Sequence, residues 1–250
     1  MLVTIPWLKE NYKSPNTILL DTRPAFVYKN GHISNAHSFP VDKVLTPNQF
    51  GAHLVADSKV IASSLSALGV DTLKTIILYG DAQNPSLTRV AWTLEYLGLE
   101  NINLLDTSAN QLEKYDIPLV REVPTPTPAE FVPVVKPNLR ITTDTLQQSH
   151  TDYSLLDARS PQEYMSAHLP NALSFPFERG VGTDGCIFLN TDNLKKIYQN
   201  IPTNKKIICY CAHGHRASNL FYQLRESGFT NVLVYDGSII DWHGHKLPLE

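Results

Sequence analysis

Two copies of one sequence pattern occur in the chain, and this duplication limits its folds more than any other feature. Residues 19–40 align without a gap with residues 155–176. Both windows contain Leu-Leu-Asp-x-Arg, then a tyrosine, a histidine, an Asn-Ala pair and a final Ser-Phe-Pro. Because there are only two copies, each as long as a domain, the pattern predicts a duplicated domain rather than a solenoid.

Each half alternates apolar segments that predict strands with segments that predict helices. Residues 75–79 and 206–210 are β-rich runs at matching positions. Each is followed by a helix-type stretch that ends near Gly98 or Gly228, and then by another strand-like run. This alternation predicts an α/β fold of two tandem domains, each a mainly parallel β-sheet with helices on both faces.

The segment between the two halves is rich in proline. Residues 120–137 contain five prolines, which favour an extended chain and prevent a packed helix. We therefore expect a first domain over residues 1–119, a linker over residues 120–137 and a second domain over residues 138–250.

Composition excludes several classes of function. The 250 residues carry a formal net charge of -3, so there is no excess of positive charge for a nucleic-acid backbone. No stretch approaches the roughly 18 apolar residues that span a bilayer, and charged residues precede any long apolar run, so we expect neither a membrane partner nor a signal peptide. The three cysteines do not make a disulfide framework and suit the reducing cytoplasm.

The two halves differ directly after a shared tyrosine. In the second half, Tyr210 is followed by the six residues that we call the cysteine loop: Cys211, Ala212, His213, Gly214, His215 and Arg216. A helix is predicted to begin near Ala217. In the first half the cysteine is absent, and the loop that leads to the matching Arg89 is four residues longer.

A cysteine between a strand and a helix lies where a thiolate is stabilised. The amino end of a helix carries partial positive charge and unpaired N–H groups. His213, His215 and Arg216 are expected to add positive potential, and such surroundings favour a nucleophilic thiolate. The alternative is a buried structural thiol, which we predict for Cys209 inside its apolar run.

Two other chemistries can be weighed from the loop. Phosphatases that use cysteine place five residues between the cysteine and the arginine, whereas this loop has four, which suits one extra sulfur atom better than a phosphate. Zinc is the second alternative, because sulfur and imidazole side chains alternate at Cys209, Cys211, His213 and His215. Alternation along one strand does not readily surround a tetrahedral ion, so we predict no metal and no other cofactor.

With these motifs, the chain resembles the tandem-domain sulfurtransferases of the rhodanese superfamily. That resemblance implies that Cys211 is the nucleophile and carries sulfur as a persulfide from thiosulfate to a thiophilic acceptor such as cyanide. It implies that backbone N–H groups of residues 212–216, including those of Ala212 and Gly214, cradle the persulfide. Arg216, His213 and His215 would attract the anionic donor, and Arg159 would contact it.

The sequence also departs from that family. Its well-known members place an arginine before the motif tyrosine, where this chain has Glu163. Arg159 recurs as Arg23 in the half that lacks the cysteine, which is equally consistent with a role in the fold. Two further functions therefore stay open: 3-mercaptopyruvate as the donor, and a persulfide carrier that delivers sulfur to a partner protein.

Overall fold

In a computed structural model, which describes residues 2–148 and 153–250, the chain divides into two compact units. The first unit comprises Met1–Val44, Ala56–Val135 and Gly182–Phe188. The second unit comprises Leu45–Val55, Lys136–Val181 and Leu189–Glu250. Each half of the sequence thus contributes one short segment to the unit formed mainly by the other half.

The regular elements alternate along the chain as the sequence pattern predicts. The strands are β1 (Leu2–Val3), β2 (Thr17–Asp21), β3 (His32–Ile33), β4 (Ala36–Ser38), β5 (Leu45–Pro47), β6 (His53–Val55), β7 (Thr75–Tyr79), β8 (Ile102–Leu105), β9 (Leu119–Val120), β10 (Arg140–Ile141), β11 (Tyr153–Asp157), β12 (Leu173–Ser174), β13 (Lys206–Tyr210) and β14 (Val232–Tyr235). The α-helices are α1 (Ile5–Asn11), α2 (Ala25–Asn30), α3 (Ser58–Ala67), α4 (Ser86–Tyr96), α5 (Thr143–Gln148), α6 (Pro161–Ser166), α7 (Thr191–Tyr198), α8 (His215–Glu226) and α9 (Ser238–Gly244). Short 3-10 helices cover Val41–Val44, Ala109–Tyr115, Pro137–Leu139 and Phe177–Gly180.

The first unit is built on a five-stranded parallel sheet with the order β1-β8-β7-β2-β4. Its central strands are almost continuously apolar, as expected for strands that helices cover on both faces. One core cluster joins α1 to the sheet, with Leu8, Leu19 and Ile77 all buried.

The second unit repeats this sheet strand for strand, with the order β10-β14-β13-β11-β12 and all pairs parallel. Its register matches that of the first unit. Asp21 lies opposite Tyr79, and Asp157 lies opposite Tyr210. The predicted α/β architecture of two duplicated domains is confirmed.

The compact units do not follow the predicted boundaries at 119 and 138 everywhere, and those boundaries stay a prediction. Most of the proline-rich stretch forms neither helix nor strand, and its residues up to Val135 group with the first unit. There the N–H of Ala129 donates to the carbonyl of Ser66 at 2.9 Å, that of Val134 donates to Leu97 at 3.0 Å, and Phe131 is buried.

A hairpin from the first half of the sequence belongs to the second unit. Strands β5 and β6 pair antiparallel, and the segment Leu45–Val55 makes polar contacts with other residues of the second unit. The N–H of Val55 donates to a carboxylate oxygen of Asp236 at 2.9 Å, and the Asn48 amide donates to Asp241 at 2.6 Å. Within the described ranges, no helix has the length and apolarity needed to cross a bilayer.

Candidate active site

Cys211 lies directly after β13, the central strand of the second sheet, at its carboxyl end. This edge of a parallel sheet is where ligands bind. The Cys211 N–H donates to the Ser238 hydroxyl oxygen at 3.0 Å, and its carbonyl accepts the N–H of Ile239 at 3.1 Å. The residue is 1% exposed, so the start of α9 fixes the thiol in a buried position.

The cysteine loop turns back over its own sulfur atom. The N–H of Gly214 donates to Sγ of Cys211 at 3.1 Å. This requires a φ of +83° at Gly214, a conformation that residues with a side chain rarely adopt. Helix α8 begins at His215, earlier than the predicted Ala217, and its amino end supplies partial positive charge beside the thiol. The loop therefore stabilises negative charge at sulfur.

Arg216 forms a bidentate ion pair with Glu163, the first residue of the site that the sequence did not predict. One terminal nitrogen of the guanidinium donates to Glu163 Oε2 at 2.6 Å and the other donates to Oε1 at 2.8 Å. Pairing with Glu163 raises the pKa of Arg216, and negative charge at Cys211 and Glu178 acts in the same direction. Arg216 therefore lies close to the thiol, but with its charge already matched.

The local structure of α6 holds Glu163 in place. The Ser160 hydroxyl accepts the N–H of Glu163 at 3.3 Å, and the Glu163 carboxylate accepts the N–H of Ser160 at 3.1 Å. This is a capping box, in which two N–H groups of the first helical turn are satisfied reciprocally. Hydrogen bonds from Arg216 lower the pKa of Glu163 to about 2, so it is ionised at neutral pH.

Three histidines lie together: His213 and His215 of the cysteine loop, and His53 of the β5–β6 hairpin. The ring of His53 stacks on His213 with centroids 4.6 Å apart and lies 6.1 Å from the ring of His215. Burial, with His53 and Arg216 nearby, lowers the pKa of His213 and so favours the neutral form of its ring. The expected cationic role of His213 therefore gains no support.

Arg159 is held by the fold rather than directed at the loop. Its Nε donates to both carboxylate oxygens of Asp157 at 3.0 Å, and one terminal nitrogen donates to Asp157 and to the Ala167 carbonyl, each at 2.6 Å. The side chain is 8% exposed. Donor contact by Arg159 stays a prediction, and this geometry favours the structural alternative.

The remaining predicted residues have simpler surroundings. Ala212 is half-buried in the loop. Cys209 is fully buried within β13, and burial raises the pKa of its thiol well above the ordinary value, as suits a core residue. Within residues 2–148 and 153–250, no three histidine, cysteine, aspartate or glutamate side chains are arranged to hold a metal ion.

In the first unit, the position of Cys211 is taken by Gly80 at the end of β7. A Cβ atom on Gly80 would lie 2.5 Å from the hydroxyl oxygen of Thr22. Thr22 donates this hydroxyl to the Tyr79 carbonyl at 3.1 Å. Its counterpart in the second unit is Ala158, which lacks a hydroxyl.

Comparison with known proteins gives a family match in both halves. A model of the family described as Rhodanese-like domain matches residues 4–114 and residues 142–245. The matched segments make up most of the chain, and each contains one copy of the repeated motif.

Individual relatives are similar over nearly the full length. Sulfur carrier protein TtuD of Thermus thermophilus is 26% identical, with 97% of this chain and 93% of that protein covered. The mitochondrial thiosulfate/3-mercaptopyruvate sulfurtransferase 1 of Arabidopsis thaliana is 26% identical, with 100% of this chain and 78% of that protein covered. Among solved structures, the 3-mercaptopyruvate sulfotransferase SseA of Escherichia coli is 26% identical with a TM-score of 0.84, covering 95% of this chain and 98% of that one.

Proposed function

Since the chain belongs to the rhodanese-like domain family, we propose that Cys211 carries sulfur as a persulfide from thiosulfate to a thiophilic acceptor such as cyanide. The general class of function is that of a sulfurtransferase of the thiosulfate/3-mercaptopyruvate type. The observation that carries the proposal is the contact of Cys211 Sγ with the Gly214 N–H at the amino end of α8.

In the first step the Cys211 thiolate attacks the outer sulfur of thiosulfate. A new S–S bond forms at Cys211 while the bond between the two donor sulfurs breaks, and sulfite leaves with that electron pair. The product is an anionic persulfide. The Gly214 N–H and the helix end stabilise the negative charge before and after transfer, because both face Sγ.

In the second step the acceptor attacks the terminal sulfur of the persulfide. With cyanide, a carbon–sulfur bond forms, the S–S bond to Cys211 breaks, and the thiolate is regenerated as thiocyanate leaves. Ser238 and Ile239 keep the backbone of Cys211 in place through both steps, since they bind its N–H and its carbonyl. The cysteine is an activated nucleophile that splits one transfer into two.

The test is thiocyanate formation from thiosulfate and cyanide by wild type and by Cys211→Ser. We expect the serine variant to lose at least about a thousandfold in turnover, because the hydroxyl is neither ionised nor able to store sulfane sulfur. Cys186→Ser is the matched control, because this other cysteine belongs to the first unit, and it should retain full turnover. Equal turnover by wild type and Cys211→Ser would contradict the proposal.

Two further functions are supported by the names of relatives. One relative and one solved structure are named for 3-mercaptopyruvate, and turnover with the two donors side by side separates that substrate from thiosulfate. Another relative is named a sulfur carrier, which supports delivery of the persulfide to a partner protein. Weak turnover of small donors together with rapid persulfide exchange with a protein would favour the carrier. A cytoplasmic location, which the free cysteines support, is also our proposal.

A further inference from the structure

Arg216 is the arginine next to the thiol, and two carboxylates act on it. Both terminal nitrogens of its guanidinium are engaged by the two oxygens of Glu163, at 2.6 and 2.8 Å. Glu178, exposed in the 3-10 helix Phe177–Gly180, contributes further negative charge at Arg216. An incoming anion therefore meets a cation whose charge is already matched and whose two terminal nitrogens each donate to a carboxylate oxygen.

Two other side chains that were expected to meet the donor, Arg159 and His213, also offer it little positive charge. Arg159 gives its Nε and one terminal nitrogen to Asp157 and to a backbone carbonyl. Burial lowers the pKa of His213, which favours the neutral form of its ring. An anion at this site therefore also depends on the N–H of Gly214 at the start of α8, which faces Sγ.

We propose that Glu163 is a specificity-determining residue, which weakens the binding of doubly charged sulfur donors relative to singly charged ones by occupying Arg216. This inference rests on the proposed sulfur transfer through Cys211 and names the charge class of the donor. The Coulomb energy between an anion and an unmatched guanidinium is proportional to the charge of the anion. Removal of the Glu163 charge should therefore improve the binding free energy of a dianion about twice as much as that of a monoanion.

Two sulfur donors that differ by one negative charge can test this proposal. Thiosulfate is a dianion, and methanethiosulfonate is the corresponding monoanion in which a methyl group replaces one anionic oxygen. The Cys211 thiolate attacks the outer sulfur of either donor, the bond between the two donor sulfurs breaks, and sulfite or methanesulfinate leaves with the electron pair. Both reactions give the same persulfide, so only the donor charge and one substituent differ.

Glu163→Gln is the informative variant, because it removes the negative charge while the local structure of α6 should be kept. Glutamine at this position of a capping box still accepts the Ser160 N–H. The amide oxygen can also accept from Arg216, whose positive charge then becomes available. Glu226→Gln, at the far end of the 12-residue helix α8, removes the same charge without facing Arg216 and serves as the matched control.

The experiment measures KM and kcat for both donors, with cyanide as acceptor. For Glu163→Gln we expect the KM of thiosulfate to fall about tenfold and that of methanethiosulfonate about threefold, with kcat within about twofold of wild type. Glu226→Gln should leave both values unchanged. Should Glu163→Gln fail to fold, Glu178→Gln carries the same test, with an expected fall of about twofold in the KM of thiosulfate and about 1.4-fold in that of methanethiosulfonate.

Other results overturn the inference. If both donors change by the same factor, the carboxylate does not discriminate charge. If the KM of thiosulfate rises, Glu163 instead orients Arg216 for donor binding and is a positioning residue. These failures differ from failure of the proposed function, in which wild type and Cys211→Ser form thiocyanate equally with both donors.

Discussion

The residues shared by the two halves make the same contacts in both units. The Tyr28 hydroxyl donates to the Ala36 carbonyl at 2.8 Å, and the Tyr164 hydroxyl donates to the Ala172 carbonyl at 2.7 Å. The second unit contains the cysteine loop and the first unit does not, so contacts that both units make serve the fold. The duplication thus separates what the sheet and its connections need from what the chemistry needs.

The residues that differ are concentrated around the thiol. Cys211 is matched by Gly80 and Glu163 by Val27, while the loop to Arg89 is longer than the loop to Arg216. The capping serine of α6 corresponds to a proline that makes no side-chain cap at α2. In the second unit these differences bring a nucleophile, a cation and a carboxylate together on one framework.

We predict the largest loss of stability for variants of the two buried Asp–Arg pairs. Arg23 and Arg159 bind Asp21 and Asp157 with nearly the same distances, and both aspartates are fully buried. Arg23→Ala and Arg159→Ala should each lower the free energy of unfolding by about 3–5 kcal/mol, because a buried carboxylate is left without its partner. Urea denaturation measures both.

The same two variants also test whether Arg159 has a second role at the donor site. If Arg159→Ala keeps the stability of wild type but raises the KM of thiosulfate, while Arg23→Ala is destabilised, then Arg159 contacts the donor as the sequence resemblance implies. Asp21→Asn and Asp157→Asn are the matched controls, since each leaves the arginine in place and removes only the charge of its partner.

A smaller effect concerns why the first unit holds glycine where the second holds cysteine. Gly80→Cys should destabilise the protein by about 1–3 kcal/mol, because its Cβ would meet the Thr22 hydroxyl at 2.5 Å. In the double variant Gly80→Cys/Thr22→Ala this conflict is removed. We expect a coupling free energy of at least about 1 kcal/mol in the double-mutant cycle. Additive effects would show that Thr22 does not exclude a side chain there.

The smallest effect concerns the helix cap that positions Glu163. Ser160→Ala should lower the free energy of unfolding by about 1 kcal/mol, since the N–H of Glu163 loses the hydroxyl oxygen that accepts it. Pro24→Ala, at the matching position before α2, removes no side-chain cap and is the control. A melting temperature that is unchanged in Ser160→Ala but lowered in Pro24→Ala would contradict this account of the asymmetry.

The sequence predicted the fold well because its signals are local and occur twice. The runs at 75–79 and 206–210 coincide with β7 and β13 in both bounds, and the alternation of strands and helices correctly predicted parallel sheets. The start of α8 was predicted two residues late. The reason is that Gly214 adopts a left-handed conformation as N-cap, which begins the helix at once.

The site residues that the sequence did not predict are those that are placed by contacts between distant positions of the chain. Glu163 and Arg216 are 53 positions apart, and neither has a sequence signal for the other. His53 lies in a short hairpin of the first half that groups with the second unit, so no motif could place it beside His213. The one available clue was Glu163 itself, an acid where the resemblance implies an arginine.

The central claim is that sulfur is carried on Cys211, and the most direct measurement is the mass of its peptide after incubation with thiosulfate. We expect a gain of about 32 Da, one sulfur atom, on the Cys211 peptide alone, and loss of that gain when cyanide is added. Absence of the gain, or an equal gain on the Cys186 peptide, would show that Cys211 is not the sulfur carrier.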